Sequence, residues 1–204
     1  MCIRDSLPTI LIEKMPTLGG DTILNAGTLI ATGSRYQKEV MKEMKDSPEL
    51  AFKDIMKVGK NKNDPVLVNM VTHKVGGVVD WLIDDLKIPY GPAATQYPDH
   101  SAERQLGVQG RSPNFIKTMA SILTDHGGKI LMETKATKLI YKDHRVRGVE
   151  AVNAAGDEIK IYAKDTILAS GGFGANTKML PPTLKGFLFY GSVSYTHLTL
   201  PTNS

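Results

Sequence analysis

The stretch "TILIEKMPTLGGDTILNAG", residues 9–27, joins a short apolar run to a loop that contains three glycines. Residues 9–14 lie between Pro8 and Pro16 and are too few for a helix, which predicts a buried strand. Glu13 stands near the carboxyl end of that strand, where a dinucleotide-binding sheet holds an acid that accepts a ribose hydroxyl. The glycines permit positive φ and let a flat or charged ligand approach the backbone. The alternative is a solvent-facing charge followed by a plain flexible loop.

Helices are predicted after this loop. Residues 35–45 read as a charged, exposed helix. Asp46 or Ser47 before Pro48, and the Asn63-Asp64 pair before Pro65, each give a polar cap followed by proline at the first helical position, where no hydrogen bond is lost. Apolar side chains recur at helical spacing from the second proline onward, so residues 65–87 are predicted to form one long helix. Its Gly76–Gly77 pair indicates close packing against another backbone, or a kink.

The second half of the chain is predicted to alternate from helix to strands. Ser112 and Pro113 start a helix that Gly127–Gly128 stops. The runs "KILMET", "TKLIY", "RVRGVEAV" and "DEIKIYA" follow as strands, and "TILAS" at 166–170 is predicted as the last, buried strand. An antiparallel meander that feeds a buried strand differs from simple βαβ repetition. The fold class is therefore α/β, with a parallel sheet, an antiparallel β-meander over about 129–163 and a helical insertion over about 35–87.

Composition limits the classes of function. The 204 residues are 41% hydrophobic, enough for one sizeable core. The net charge of +4 is spread over basic residues that alternate with acids, which does not favour nucleic-acid binding. The single cysteine excludes an internal disulfide, and the absence of an HxxxH pair or carboxylate cluster predicts no metal site. No membrane span or signal peptide is predicted.

Both ends of the sequence differ from the rest. "MCIRDS" at residues 1–6 and "SYTHLTLPTNS" within residues 193–204 look like translated adapter sequence, and no Lys, Arg, Asp or Glu follows Lys185. We interpret these ends as scars and residues 7–192 as a partial domain. A genuine polar tail is the alternative.

A family resemblance joins these segments. "ILIEKMPTLGGDTILNAG" resembles the second strand and flavin loop of the fumarate reductase and urocanate reductase flavoproteins, the flavocytochrome c type of FAD-dependent oxidoreductase. "DSPELAFKDIMKVGKNKNDPVLVNMV", "VDWLIDDL", "GGKILMETKATKLI", "TILASGGFGAN" and "LPPTLKGF" follow the family's order and spacing. The resemblance covers about residues 9–190. It implies a partial dinucleotide-binding flavin domain, similar to that of glutathione reductase, with FAD as cofactor.

The resemblance also implies which residues contact FAD. Glu13 would bind the adenosine ribose, and Asp21 and Thr22 would lie at the pyrophosphate and flavin side. The isoalloxazine would run along Ala26, Gly27 and Thr28, whereas Ala136 would touch the adenine end through its backbone. The family usually has Asn at position 21 and often Gly at position 28. Ala169, Gly171 and Gly172 would keep the backbone bare beside the nucleotide half of FAD.

For the parent enzyme, the resemblance implies hydride transfer from flavin N5 to the C=C bond of a small unsaturated carboxylate such as fumarate or urocanate. The arginine and histidine residues that catalyse this step are expected after Ser192, so no catalytic residue is assigned. Tyr97, His100 and Arg104, in "YPDHSAERQ", are candidates for the substrate side. The alternative is a surface loop in which Asp99 pairs with Arg104.

Two further alternatives stay open. The sequence contains no G-x-G-x-x-G turn of the kind that sets a pyrophosphate on a helix N-terminus, so the chain could be a non-catalytic dinucleotide-fold fragment that binds flavin weakly or not at all. A flavin-dependent ketosteroid dehydrogenase would share the same loop. The electron donor and the compartment, cytoplasmic or exported, are not indicated.

Overall fold

The computed structural model describes residues 7–25, 27–91, 96–172 and 176. The end segments 1–6 and 193–204, interpreted as scars, lie outside these residues. The chain divides into two compact units, Met1–Thr9 with Thr22–Lys129, and Ile10–Asp21 with Ile130–Ser204. In chain order the elements are β1 Ile10–Ile12, a 3-10 helix Gly20–Leu24, β2 Thr28–Ile30, α1 Arg35–Glu39, α2 Pro48–Val58, α3 Pro65–Asp84, β3 Gln105–Gly107, α4 Arg111–Asp125, β4 Lys129–Leu131, β5 Lys135–Lys142, β6 Arg145–Val152 and β7 Glu158–Tyr162.

The helices of the first unit begin largely where the polar caps predict. The Ser47 hydroxyl accepts the Leu50 N–H at 3.1 Å, and the Asp64 carboxylate accepts the Val66 N–H at 2.8 Å. Helix α3 ends at Asp84, three residues before the predicted end, and α1 ends at Glu39, well short of residue 45. Helix α4 begins at Arg111 with Gly110 in the cap position, so the prediction of Ser112 as its cap is wrong.

The core of the first unit lies between α3 and the β2–β3 pair. Strands β2 and β3 are antiparallel, with Leu29 opposite Leu106. The core cluster includes Leu106 of β3, and all its members are almost completely buried. They are Ala31, Val75, Val79, Leu82, Ile88, Tyr90, Leu106 and Val108. The buried residues of α3 lie between Thr72 and Leu82. The apolar side chains that recur at helical spacing along α3 are therefore buried only in the second half of the helix.

The first half of α3 keeps an apolar surface exposed. Val66 is 74% exposed, and Leu67 and Met70 are each 52% exposed. By length and composition α3 is the one helix in the described residues that could cross a membrane. The sequence reading predicted no such segment. The middle of α3 packs in the core of its unit.

Gly76 explains how α3 approaches the loop after β2. A Cβ at Gly76 would lie 2.6 Å from the Gly33 carbonyl carbon and 2.8 Å from the Ser34 nitrogen. No real Cβ tolerates such contacts with backbone, so the predicted close packing is confirmed at this position. At Gly77 a Cβ would meet no described atom within 4 Å.

The second unit contains a parallel strand pair. The Glu13 N–H donates to the Leu131 carbonyl at 2.9 Å, and the Lys129 N–H donates to the Thr9 carbonyl at 2.9 Å, the pattern of parallel strands β1 and β4. The prediction that β1 is buried is wrong, since Ile10 is 47% and Leu11 is 38% exposed. Parallel strands become buried when neighbours cover both faces, and β4 is the only strand paired with β1 in the described residues.

The predicted antiparallel meander is confirmed. Strands β5, β6 and β7 pair in sequence order. Asp143 and His144 form the two-residue turn between β5 and β6, and both have positive φ, 52° and 58°. The predicted strand at 166–170 is not formed within the described residues; Ile167 is 78% exposed and Leu168 is 50% exposed. An apolar run becomes a strand only where a neighbouring strand accepts its hydrogen bonds, and no strand among the described residues does so.

Candidate functional site

Glu13 lies at the carboxyl end of β1, as predicted, and the backbone holds it there. Its N–H donates to Leu131, and its carbonyl accepts the Thr134 N–H at 2.8 Å. The half-buried side chain turns toward its own loop, where Oε1 accepts the Met15 N–H at 2.8 Å. This bond fixes one carboxylate oxygen. The second oxygen is available to accept a ribose hydroxyl, which is the chemistry expected of this position.

The loop after β1 has the backbone geometry expected of a ligand-binding glycine loop. Gly19 and Gly20 have φ of 114° and 46°, and the 3-10 helix that follows contains Asp21 and Thr22, both exposed. Their side chains therefore reach solvent rather than the core. Ala26 lies outside the described residues.

Gly27 is in close contact with the start of α4, within the first unit. Its φ is 77°, its N–H donates to Asn25 Oδ1 at 2.8 Å, and its carbonyl accepts the Val108 N–H at 2.9 Å. A Cβ at this position would lie 2.9 Å from the Ser112 nitrogen and 3.0 Å from the Arg111 carbonyl carbon. Only glycine fits there. Thr28 follows directly and pairs with Gly107.

Helix α4 consequently directs its first turn at the glycine loop. Its cap position is occupied by Gly110, with φ of 77°, which has no side chain to accept the first N–H groups. A helix start without a side-chain cap favours anions and other acceptors nearby. In the first unit, this helix start and Gly27 form the local environment that an electron-rich ring edge or phosphate would fit.

The other predicted cofactor residues belong to the second unit. Ala136 lies on β5, is exposed and pairs with Ala151. Ala169, Gly171 and Gly172 are exposed and outside any strand, and Gly171 has φ of 76°. Close by in sequence, Thr166 Oγ1 is buried and has no hydrogen-bond partner among the described residues. A buried hydroxyl without a partner is costly, so this atom is a candidate to bond a group outside the described residues, such as a ligand.

Arg104 has a different environment from the one predicted. Its side chain is fully buried and pairs with two carboxylates: Nη2 and Nε donate to Asp46 at 2.6 and 3.2 Å, and Nη1 donates to Asp54 at 2.6 Å. Neither carboxylate was predicted from the sequence as the partner of Arg104; the sequence suggested Asp99 instead. A substrate carboxylate would have to displace Asp46 or Asp54, so the predicted substrate-side role does not fit Arg104.

Both carboxylates, Asp46 and Asp54, also accept hydrogen bonds from neutral donors. Asp46 Oδ2 accepts the Thr32 hydroxyl at 2.8 Å and the Gln37 amide at 2.7 Å. Asp54 accepts the Ser101 hydroxyl at 2.6 Å and the Ser101 N–H at 2.8 Å. Burial would raise the pKa of Asp54, but the Ser101 bonds and Arg104 outweigh it and lower that pKa to about 2. The cluster ties α1, α2 and the segment before β3 together.

His100 belongs to this cluster through one ring nitrogen. Arg104 Nη1 lies 2.8 Å from His100 Nδ1, so Nδ1 is the acceptor and the proton of the neutral ring is on Nε2. Burial and the Arg104 charge lower the pKa of His100, against the opposing effect of Asp54, Asp46 and Asp99. Tyr97 lies beside it, with 5.4 Å between the ring centroids. Of the three predicted substrate-side residues, Arg104 is fully bonded within this cluster. The Tyr97 ring and the Nε2 atom of His100 make no hydrogen bond to it.

No group of three or more His, Cys, Asp or Glu side chains arranged for a metal ion occurs among residues 7–25, 27–91, 96–172 and 176.

Curated relatives match most of the chain, and two of them represent the group. NADH:fumarate oxidoreductase of Klebsiella pneumoniae is 29% identical over 188 residues, which are 88% of this chain and 20% of that protein. Urocanate reductase of Eggerthella lenta is 32% identical over 174 residues, 83% of this chain and 28% of that protein. The chain thus spans between a fifth and a third of the length of these relatives.

Two solved structures share the fold. A flavocytochrome c3 fumarate reductase in its open conformation matches with a TM-score of 0.75 and 28% identity, over 86% of this chain and 32% of that chain. The 3-ketosteroid-Δ4-(5α)-dehydrogenase of Rhodococcus jostii RHA1 matches with a TM-score of 0.73 and 20% identity, over 87% of this chain and 44% of that chain. At that lower identity the likeness shows the fold alone.

The model of the FAD binding domain family matches residues 2–197, nearly the whole chain. The predicted fold class, with its parallel pair, meander and helical segment, is confirmed by this match and by the fumarate reductase structure. The cofactor of the family is FAD. The chain is therefore a member of the FAD binding domain family, similar over most of its length to fumarate and urocanate reductases.

Proposed function

We propose that this chain forms the FAD-binding part of a reductase that acts on the C=C bond of a small unsaturated carboxylate, of the fumarate or urocanate type. FAD supplies the hydride equivalent for such a reduction. The names of the relatives support this substrate class. The ketosteroid dehydrogenase alternative is supported by likeness of fold only.

The observation that carries the cofactor part of the proposal is the position of Glu13. A carboxylate anchored at the end of a parallel strand, with one oxygen free to accept, suits a ribose diol. Ala136, Ala169, Gly171 and Gly172 are proposed to lie along the nucleotide half of the cofactor. The Thr166 hydroxyl, which has no partner among the described residues, fits this assignment, since a ligand acceptor there would satisfy it.

In the first unit, the proposal rests on Gly27. Its missing side chain and positive φ bring the loop to the first turn of α4, whose N–H groups favour an electron-rich edge. Asp21, Thr22, Ala26 and Thr28 are proposed as the neighbouring contacts along the same loop. Tyr97 and the Nε2 edge of His100 are proposed on the substrate side, whereas Arg104 acts by holding His100.

The test is titration of the purified chain with FAD, followed by flavin absorbance and fluorescence. We expect weak, saturable binding rather than stoichiometric retention through dialysis, because no G-x-G-x-x-G turn is present to cradle the pyrophosphate. Glu13→Gln removes the negative charge and replaces one acceptor oxygen with an NH2 donor, so it should weaken binding about tenfold, the effect of losing a hydrogen bond to a charged group. Glu158→Gln is the matched control, since Glu158 is an exposed carboxylate on β7 of the same unit.

A second pair of variants tests the loop. Gly27→Ala should reduce FAD binding, because its Cβ would strike the start of α4. Gly127→Ala also changes a glycine with positive φ, 79°, in the same unit, but its Cβ would meet no described atom within 4 Å, so it controls for backbone strain alone. Equal FAD affinity in the parent chain, Glu13→Gln and Gly27→Ala would contradict the assignment. Stoichiometric, dialysis-resistant flavin would contradict the expected weak binding.

A further inference from the structure

An open groove of about 550 Å³ lies on the meander of the second unit. Its apolar side is formed by Ile140 on β5 and Tyr162 on β7. Both residues are in register with Gly148 on β6, which lies between them. Because Gly148 has no side chain, the middle of this row across the sheet is bare. Its φ of 145° and the overlap that a Cβ would make with the Ile161 carbonyl mean that no other residue fills the gap.

The groove presents an aromatic face. Tyr162, the last residue of the outer strand β7, is 70% exposed. Ala163 follows it and stays paired with β6, since its N–H donates to the Arg147 carbonyl at 2.9 Å. A flat ring that entered the gap over Gly148 would stack against Tyr162 and contact Ile140.

The remaining lining is mainly cationic. Lys142, Arg147 and Lys164 contribute three positive charges, and Asp143 contributes one carboxylate. The closest approach of Arg147 Nη2 to Asp143 Oδ2 is 4.0 Å, between side chains that are 44% and 68% exposed. At that length the two groups are not hydrogen-bonded, and the pair contributes little. The guanidinium therefore keeps its N–H donors for an anion.

We propose that this groove binds an aromatic phosphate the size of a mononucleotide, with its ring on Tyr162 and its phosphate among Lys142, Arg147 and Lys164. The volume lies within the range of small-molecule sites. Inorganic phosphate alone would leave the apolar side unfilled, and an uncharged ring would leave the cations unpaired. The site shares no residue with those proposed to contact FAD.

The probe is AMP, added to the full chain at low ionic strength and followed by the amide NMR signals of Gly148 and Ala163. Adenosine and inorganic phosphate are titrated in parallel, and each should bind at least about tenfold more weakly than AMP, because each makes only half of the contacts. The double variant Lys142→Gln/Lys164→Gln should weaken AMP binding about tenfold. The control double variant, Lys74→Gln/Lys117→Gln, removes the same charge from exposed positions of α3 and α4. Its affinity for AMP should stay within about twofold of the parent's.

Two further variants separate this groove from the cofactor residues. Tyr162→Ala should weaken AMP and adenosine together, whereas Glu13→Gln should leave the AMP shifts at Gly148 and Ala163 unchanged. The proposal is overturned if AMP does not bind, if inorganic phosphate binds as well as AMP, or if the Lys74 and Lys117 control loses as much affinity. It is equally overturned if Glu13→Gln abolishes the AMP shifts while Tyr162→Ala preserves them. Circular dichroism of each variant establishes that the chain is folded.

Discussion

Arg104 and Asp46 form a bidentate ion pair in which both side chains are completely buried. The two residues are 58 positions apart in sequence, so the pair fixes the segment before β3 against the segment before α2. Asp54 of α2 completes the cluster from the other side of the guanidinium. Charges buried in this way are tolerated only when every lone pair and N–H has a partner.

Replacement of Arg104 by Met should lower the free energy of unfolding by about 3–5 kcal/mol, because two carboxylates would remain buried without their cation. Urea unfolding followed by circular dichroism measures this. Arg35→Met is the matched control, since Arg35 pairs with Asp84 at 2.6 Å but both side chains are about half exposed. Its loss should be small, because solvent screens an exposed ion pair. Equal losses in the two variants would contradict the structural role of Arg104.

The pKa of Asp54 predicts acid sensitivity. Burial alone would raise this pKa, but the Ser101 bonds and Arg104 lower it from 3.8 to about 2. A carboxyl whose pKa falls on folding stabilises the folded state above its unfolded pKa, and that stability is lost as pH decreases from about 4 toward 2. The contribution is about 2 kcal/mol. Urea unfolding between pH 6 and pH 2.5 should show this loss in the parent chain. A profile of Asp54→Asn as steep as the parent's in that window would refute the assignment.

His100 should titrate below its ordinary pKa of 6.5, because burial and the neighbouring Arg104 disfavour its charged form. The neutral ring should carry its proton on Nε2, since Nδ1 accepts from Arg104. A lowered histidine pKa stabilises the folded state above pH 6.5, and this contribution falls as pH decreases below that value. Nitrogen-15 NMR of the imidazole reports the tautomer and the pKa together. A proton on Nδ1, or a pKa above 6.5, would show that the Arg104 contact is absent in solution.

The two adjacent glycines of α3 should respond oppositely to alanine. Gly76→Ala would place a Cβ against the Gly33 and Ser34 backbone and should destabilise the chain by about 1–3 kcal/mol or more. Gly77→Ala meets open space and should stabilise the helix by up to about 1 kcal/mol, the propensity difference between the residues. Both variants carry the same Gly→Ala substitution in the same helix. The difference between their thermal unfolding therefore measures the packing of position 76 against the loop. A similar change in both would mean that α3 does not pack closely on the loop.

Local signals in the sequence determined much of the secondary structure. The Ser47-Pro48 and Asp64-Pro65 caps set the starts of two helices, and alternation with turn residues set the meander, because these features depend on hydrogen bonds between residues close in sequence. The place of Glu13 at the carboxyl end of β1 was also predicted from the sequence. The family could be read from ordered segments of the chain, and the match over residues 2–197 bears that reading out.

Only the tertiary structure decided which polar residues are buried together. The sequence offered Asp99 as the partner of Arg104, whereas folding brings Asp46 and Asp54 to it from α2 and the residues before it. The run at 166–170 shows the same limit, since its apolar residues predict a strand but pairing requires a neighbour. Periodicity shows that a residue is suited to burial or pairing. Whether it is buried, and against which partner, depends on contacts between segments far apart in sequence, which spacing alone does not specify.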